Sequence, residues 1–64
     1  MPLINVSGPA IDTDRKRKLA DGLTKVAVEV YGLSPDAIIV TIQENPPENV
    51  ARGGVLIVDR HSKS

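Results

Sequence analysis

Residues 2–44 read PLINVSGPAIDTDRKRKLADGLTKVAVEVYGLSPDAIIVTIQE, and the changes of period inside this run decide the fold. Leu3–Ser7 alternates, with Ile4 and Val6 on one face and Leu3, Asn5 and Ser7 on the other, which is the pattern of a short strand. Gly8-Pro9 ends it. A helix follows. Asp12 or Thr13 can cap its first N–H groups, and Asp14 suits the positive end of its dipole. Leu19, Leu23, Val26 and Val30 fall within about 60° of arc at 100° per residue, with Ala20 and Ala27 beside them. The opposite side carries Arg17, Lys18 and Glu29 and two acid-first pairs at i,i+4 spacing, Asp14–Lys18 and Asp21–Lys25. Gly22 costs about 1 kcal/mol relative to Ala, but at the edge of the apolar stripe it leaves room for another helix. Gly32 closes the helix with Leu33 as its hydrophobic follower. Ser34-Pro35-Asp36 is a turn, and Ala37–Gln43 is a second strand, apolar on both faces through Ile38, Val40 and Ile42 and, opposite, Ile39.

Strand, helix and strand with some thirty residues between the strands make a βαβ unit, with parallel strands and a right-handed crossover. Outward from this unit, Glu44–Arg52 reads as irregular chain and Gly53-Gly54 as a turn. Val55–Val58 is a short apolar strand expected to pair with a neighbouring subunit, and Asp59–Ser64 a polar tail. The expected fold is α+β: one domain over residues 1–64, a single βαβ unit with a short C-terminal strand. Two such units side by side would give a four-stranded sheet with two helices on one face.

Composition sets the limits. The 64 residues contain no Cys, Trp or Phe, one Tyr and one His. A chain of this size hides only about 60% of its unfolded surface, and without disulfides or a thiolate zinc site the remaining stabilisation must come from partner subunits. His61 alone cannot organise a metal site, and no cofactor is expected. Eight Lys+Arg balance eight Asp+Glu, so no basic field exists to hold phosphates and no aromatic platform to stack bases. No apolar run approaches a membrane span and no signal-peptide pattern is present, so a cytoplasmic protein without nucleic-acid or membrane partners is expected.

Met1-Pro2 opening directly into a strand, the βαβ unit, Glu44 closing the second strand, and Gly53-Gly54 before a short apolar segment together resemble the 4-oxalocrotonate tautomerase family. The resemblance runs from Pro2 to about Arg60 and implies a hexamer built as a trimer of dimers. It also implies an amino-terminal proline, exposed by removal of Met1, acting as base in the enol–keto interconversion of 2-hydroxy and 2-oxo acids. The chemistry is sound: a proline nitrogen within a chain is a tertiary amide without basicity, whereas at a free terminus it is an amine. An α-amino group has a reference pKa of about 7.7–8.0, which burial lowers towards the range a general base needs.

The family's typical member holds its dicarboxylate substrate with two arginines and dries the pocket with an aromatic. Their positions align with Ile11, Ile39 and Val50, none of which keeps the residue. Arg52, alone in a loop beside two glycines, is the best substitute cation, and Arg15, near the apolar stripe, is a second. The candidate site is therefore Pro2 as catalyst, with Arg52, Arg15, Val50 and Ile39 contacting a substrate of lower charge. Glu44 is a possible second acid/base, although strand-end carboxylates are usually solvated; Tyr31 is expected to pack. Two other classes fit the same residues: a hydratase or decarboxylase using a protonated Pro2, and a non-catalytic oligomeric binding module.

Overall fold

The computed structural model describes residues 1–61. Strand β1 (Leu3–Gly8) leads through a short loop to helix α1 (Thr13–Tyr31), and strand β2 (Ile39–Glu44) returns beside β1. β1 and β2 pair in parallel from Leu3↔Ile39 to Gly8↔Glu44. Two further bonds extend the ladder: Ile39 N–H to the Pro2 carbonyl at 3.0 Å, and Asn45 N–H to the Gly8 carbonyl at 2.8 Å. Ile4, Val6, Val40 and Ile42 turn towards α1, while Leu3, Asn5, Ser7, Ile39, Thr41 and Gln43 stay on the open face. The βαβ unit and its α+β class are as the sequence predicts.

The helix is capped at both ends by the expected residues. The Asp12 carboxylate accepts the Arg15 N–H at 2.9 Å. Gly32, at φ 68, donates its N–H to the Val28 carbonyl at 2.8 Å. The buried stripe, however, is turned from the expected one. Ala27 is its centre and Leu19, Ala20, Leu23, Thr24 and Val28 are half-buried beside it, whereas Val26 is 60% and Val30 74% exposed. Two small alanines let α1 lie close on the sheet, while Val26 and Val30, on the Leu19–Leu23 side of Ala27, stay exposed towards the end of the helix. Tyr31 is also exposed rather than packed. Asp14 pairs with Arg17 at 2.6 Å instead of Lys18; Asp21 and Lys25 pair as expected at 2.9 Å.

The second half departs further from expectation. Pro35–Ala37 and Pro47–Asn49 are single 3₁₀ turns, so the second strand starts at Ile39 rather than Ala37. The stretch expected to be irregular ends in strand β3 (Ala51–Arg52), which pairs antiparallel with strand β4 (Val55–Leu56) of the same chain. Gly53 and Gly54, at φ 61 and 84, form the two-residue turn between them, where both central residues need positive φ. The apolar segment therefore pairs one of its edges within the chain, over the two residues Val55–Leu56. From Ile57 the chain turns into helix α2 (Ile57–His61), so half of the expected Val55–Val58 strand, and the start of the expected tail, are helical. The rest of that tail lies outside the described residues.

Little is fully buried. Among the described residues only Ala27 and Ile38 are buried hydrophobics, and no large side chain is completely enclosed. The accessible surface is 5104 Å², against roughly 4,000 Å² for a compact chain of this mass. The radius of gyration is 15.3 Å, against about 11 Å. The excess area is of the order that one partner gives to a stable interface, ~800 Å².

Candidate active site

Pro2 sits at the amino end of the sheet, half-buried, its carbonyl fixed by the Ile39 N–H. Its nitrogen is in an amide with Met1, which is 91% exposed. Leu3 and Ile39, register partners on the open face, make this end apolar. Of the expected site residues, the chain thus brings Pro2 and Ile39 together.

The others lie at the carboxyl end. Val50 lines a cleft of about 390 Å³ with Ser7, Pro9, Asn45, Pro47 and Ile57, just beyond the ends of the two parallel strands. Arg52 follows on β3 with its side chain exposed. Arg15 lies in a separate shallow groove on α1 with Ile11, Lys18, Leu19 and Gly22. Six strand residues at ~3.3 Å each put roughly 20 Å between Pro2 and this end. No single chain unites Pro2 with Arg52, Arg15 or Val50.

Glu44 organises the carboxyl end. One of its oxygens accepts the Lys16 ammonium at 2.9 Å and the Ile11 N–H at 3.2 Å, tying the loop before α1 to the end of β2. The Lys16 hydrogen bond, then the Ile11 N–H, hold its carboxyl below the ordinary glutamate range against a small opposing effect of burial. An ionised, doubly engaged carboxylate has no proton to give at neutral pH. Its position suits an anchor between the α1 loop and the end of β2.

Three side chains escaped sequence reasoning. Arg60, assigned to the tail, folds back and donates to the Arg52 carbonyl at 3.0 Å, placing a second guanidinium beside the hairpin. The signal available was Ile57 followed three residues later by Arg60, an i,i+3 spacing too short to stand out. Ser7 and Asn45 meet at the cleft, where the Asn45 amide donates to the Ser7 hydroxyl. Their contact follows from strand register, which the sequence leaves open.

Against known proteins, the tautomerase enzyme family model matches residues 2–60. DmpI from Archaeoglobus fulgidus is 46% identical, covers 91% of this chain and all of its own, and superposes with a TM-score of 0.85. TomN, a 4-oxalocrotonate tautomerase homologue in the tomaymycin biosynthetic pathway, is 31% identical, with 95% of each chain covered and a TM-score of 0.90. Probable tautomerase K2 of Dickeya dadantii (strain 3937) is 26% identical over 66 residues, covering all of this chain and 98% of the relative. With a family match that begins at Pro2 and spans nearly the whole chain, and with the same fold in its relatives, this chain belongs to the tautomerase family.

Proposed function

We propose that the protein is an oligomeric keto–enol tautomerase in which Pro2, freed by removal of Met1, is the general base. The observation that carries this reading is the placement of Pro2: a half-buried residue whose carbonyl is pinned by the Ile39 N–H, so that its nitrogen is held at an apolar sheet end. Once the partner subunit covers Leu3 and Ile39, the amine is desolvated and its neutral form favoured. Neutral Pro2 takes the proton of an enol hydroxyl, or of a carbon α to a carbonyl, and returns it at another carbon. A base so placed contributes roughly 10²–10⁴-fold.

The site is shared. Packing two copies with their sheets antiparallel brings the Pro2 end of one to the cleft end of the other, and offers a reason for the surface each chain leaves exposed. Arg52 then faces the substrate carboxylate and polarises the developing oxyanion, with Arg60 supporting its backbone. Arg15 is the second candidate for this contact. Val50 and Ile39 give apolar walls. With isoleucines at positions 11 and 39, the substrate is a 2-hydroxy or 2-oxo acid with one carboxylate, and a hexamer made as a trimer of dimers is the assembly this arrangement favours. Intact mass one methionine short, together with ultraviolet assays on enol phenylpyruvate, tests the proposal. Wild type should turn over and Pro2→Ala should not; equal rates would overturn it. Activity should rise with pH through the Pro2 pKa, whereas a hydratase or decarboxylase using protonated Pro2 would lose activity over the same range.

A further inference from the structure

The cleft beyond β1 and β2 has apolar walls, Pro9, Pro47, Val50 and Ile57, and two polar side chains, Ser7 and Asn45. Among the described residues no charged one lines it. Of the cations at this end, Lys16 is occupied by Glu44, Arg15 and Lys18 belong to the separate groove on α1, and Arg52 and Arg60 lie on and beside the hairpin outside the cleft lining. Asn45 is held at three points: its N–H on the Gly8 carbonyl at 2.8 Å, its side-chain amide on the Ser7 hydroxyl, and its side-chain oxygen accepting from the Gln43 amide at 3.5 Å. Two donors remain after these bonds, the second N–H of the Asn45 amide and the hydroxyl hydrogen of Ser7. Both belong to neutral groups fixed by the strand register, at the lip of a cavity of about 390 Å³.

We propose that Ser7 and Asn45 form a neutral recognition pair that reads an uncharged hydrogen-bond acceptor at the end of the substrate remote from its carboxylate. This rests on the cleft being the substrate half of the site proposed above. With Arg52 taken by the first carboxylate, a second one inside the cleft would be desolvated among uncharged lining residues, which costs far more than placing a carbonyl there. A purely apolar end would leave the two donors without a partner in the filled cleft. An acceptor such as a ketone, ester or amide satisfies both conditions.

Calorimetric titration with three non-enolisable arylacetates tests this without any turnover. The probes share one carboxylate and differ at the para position: phenylacetate, 4-acetylphenylacetate and 4-carboxyphenylacetate. The acetyl compound should bind about three- to tenfold more tightly than phenylacetate, the range of one neutral hydrogen bond, and the dicarboxylate most weakly. Asn45→Leu and, independently, Ser7→Ala should bring the acetyl advantage towards one. Ser7→Ala keeps every backbone bond of the sheet and so separates recognition from folding. Pro2→Ala should retain the wild-type ranking. Equal affinities, a ranking led by the dicarboxylate, an acetyl preference that survives both variants, or no binding of any probe would overturn the pair. Discrimination without Pro2-dependent turnover would instead overturn the tautomerase reading and leave the pair standing.

Discussion

The two ends of the parallel sheet are built on opposite principles. At the carboxyl end polar groups are matched within the chain: Glu44 takes Lys16 and the Ile11 N–H, and Asn45 bonds the Gly8 carbonyl and the Ser7 hydroxyl. At the amino end one backbone bond holds Pro2, and the side chains around it, Leu3 and Ile39, are apolar, with Leu3 largely uncovered and Ile39 about a third exposed. The carboxyl end is an internally hydrogen-bonded scaffold with a cleft in it, beside a hairpin whose Val55 and Leu56 stay exposed. The amino end is the one the proposal covers with another chain. Burying an amine needs apolar surroundings, and binding a polar substrate needs ordered donors. Separating the two requirements by the length of a strand lets a 64-residue chain carry both, and in the proposed assembly antiparallel packing of two copies reunites them.

The largest expected effect lies at the amino end. Pro2→Ala should lower kcat by roughly 10²–10⁴-fold, read by the ultraviolet assay, with thermal unfolding little changed because the alanine carbonyl still accepts the Ile39 N–H. A charge added beside it should sharpen the contrast. Ile39→Arg gives this end a cation, and should raise kcat/KM for the dicarboxylate 2-hydroxymuconate by about 10²-fold relative to enol phenylpyruvate in the same assay. An unchanged ratio would mean that the open face near Ile39 does not meet substrate.

These contrasts were only partly legible in the sequence. The caps of α1 were, because Asp12 and Gly32 act through local backbone chemistry. The sheet was, because Ile4 and Val6 alternate with polar partners over enough residues to set a period. Strands β3 and β4 were not: two residues each carry no period, and only Gly53-Gly54 marks their turn. The helix stripe is legible at Leu19 and Leu23 but not at Val26 and Val30, because Ala20 and Ala27, which permit close approach to the sheet, set its centre. Pro2, Ile39, Val50, Arg52 and Arg15 could each be named from sequence, but their division between two ends of the sheet required the topology. Arg60 and the Ser7–Asn45 contact depend on tertiary register alone.

Smaller effects probe the carboxyl end. Gly53→Ala forces a side chain into φ 61 and should cost about 1–2 kcal/mol, seen as a lower Tm. Arg52 should then lose its fixed position, raising KM more than it lowers kcat. Glu44 predicts an acid-sensitive scaffold. Its carboxyl is held below its ordinary value of 4.5, so its contribution is complete above that pH and is lost as pH falls through the lowered folded-state value. Glu44→Gln should flatten the dependence of unfolding on pH below 4.5 and leave stability above it less than that of wild type.

The claim that each site joins the amino end of one copy to the carboxyl end of another is tested most directly by complementation. Pro2→Ala and Arg52→Ala chains are unfolded, mixed in equal amounts and refolded together, and enol phenylpyruvate turnover is measured. Random pairing leaves about a quarter of the sites with both an intact Pro2 and an intact Arg52 from different copies, so the mixture should recover about a quarter of wild-type kcat. Turnover no greater than the mean of the two variants alone would contradict a shared site.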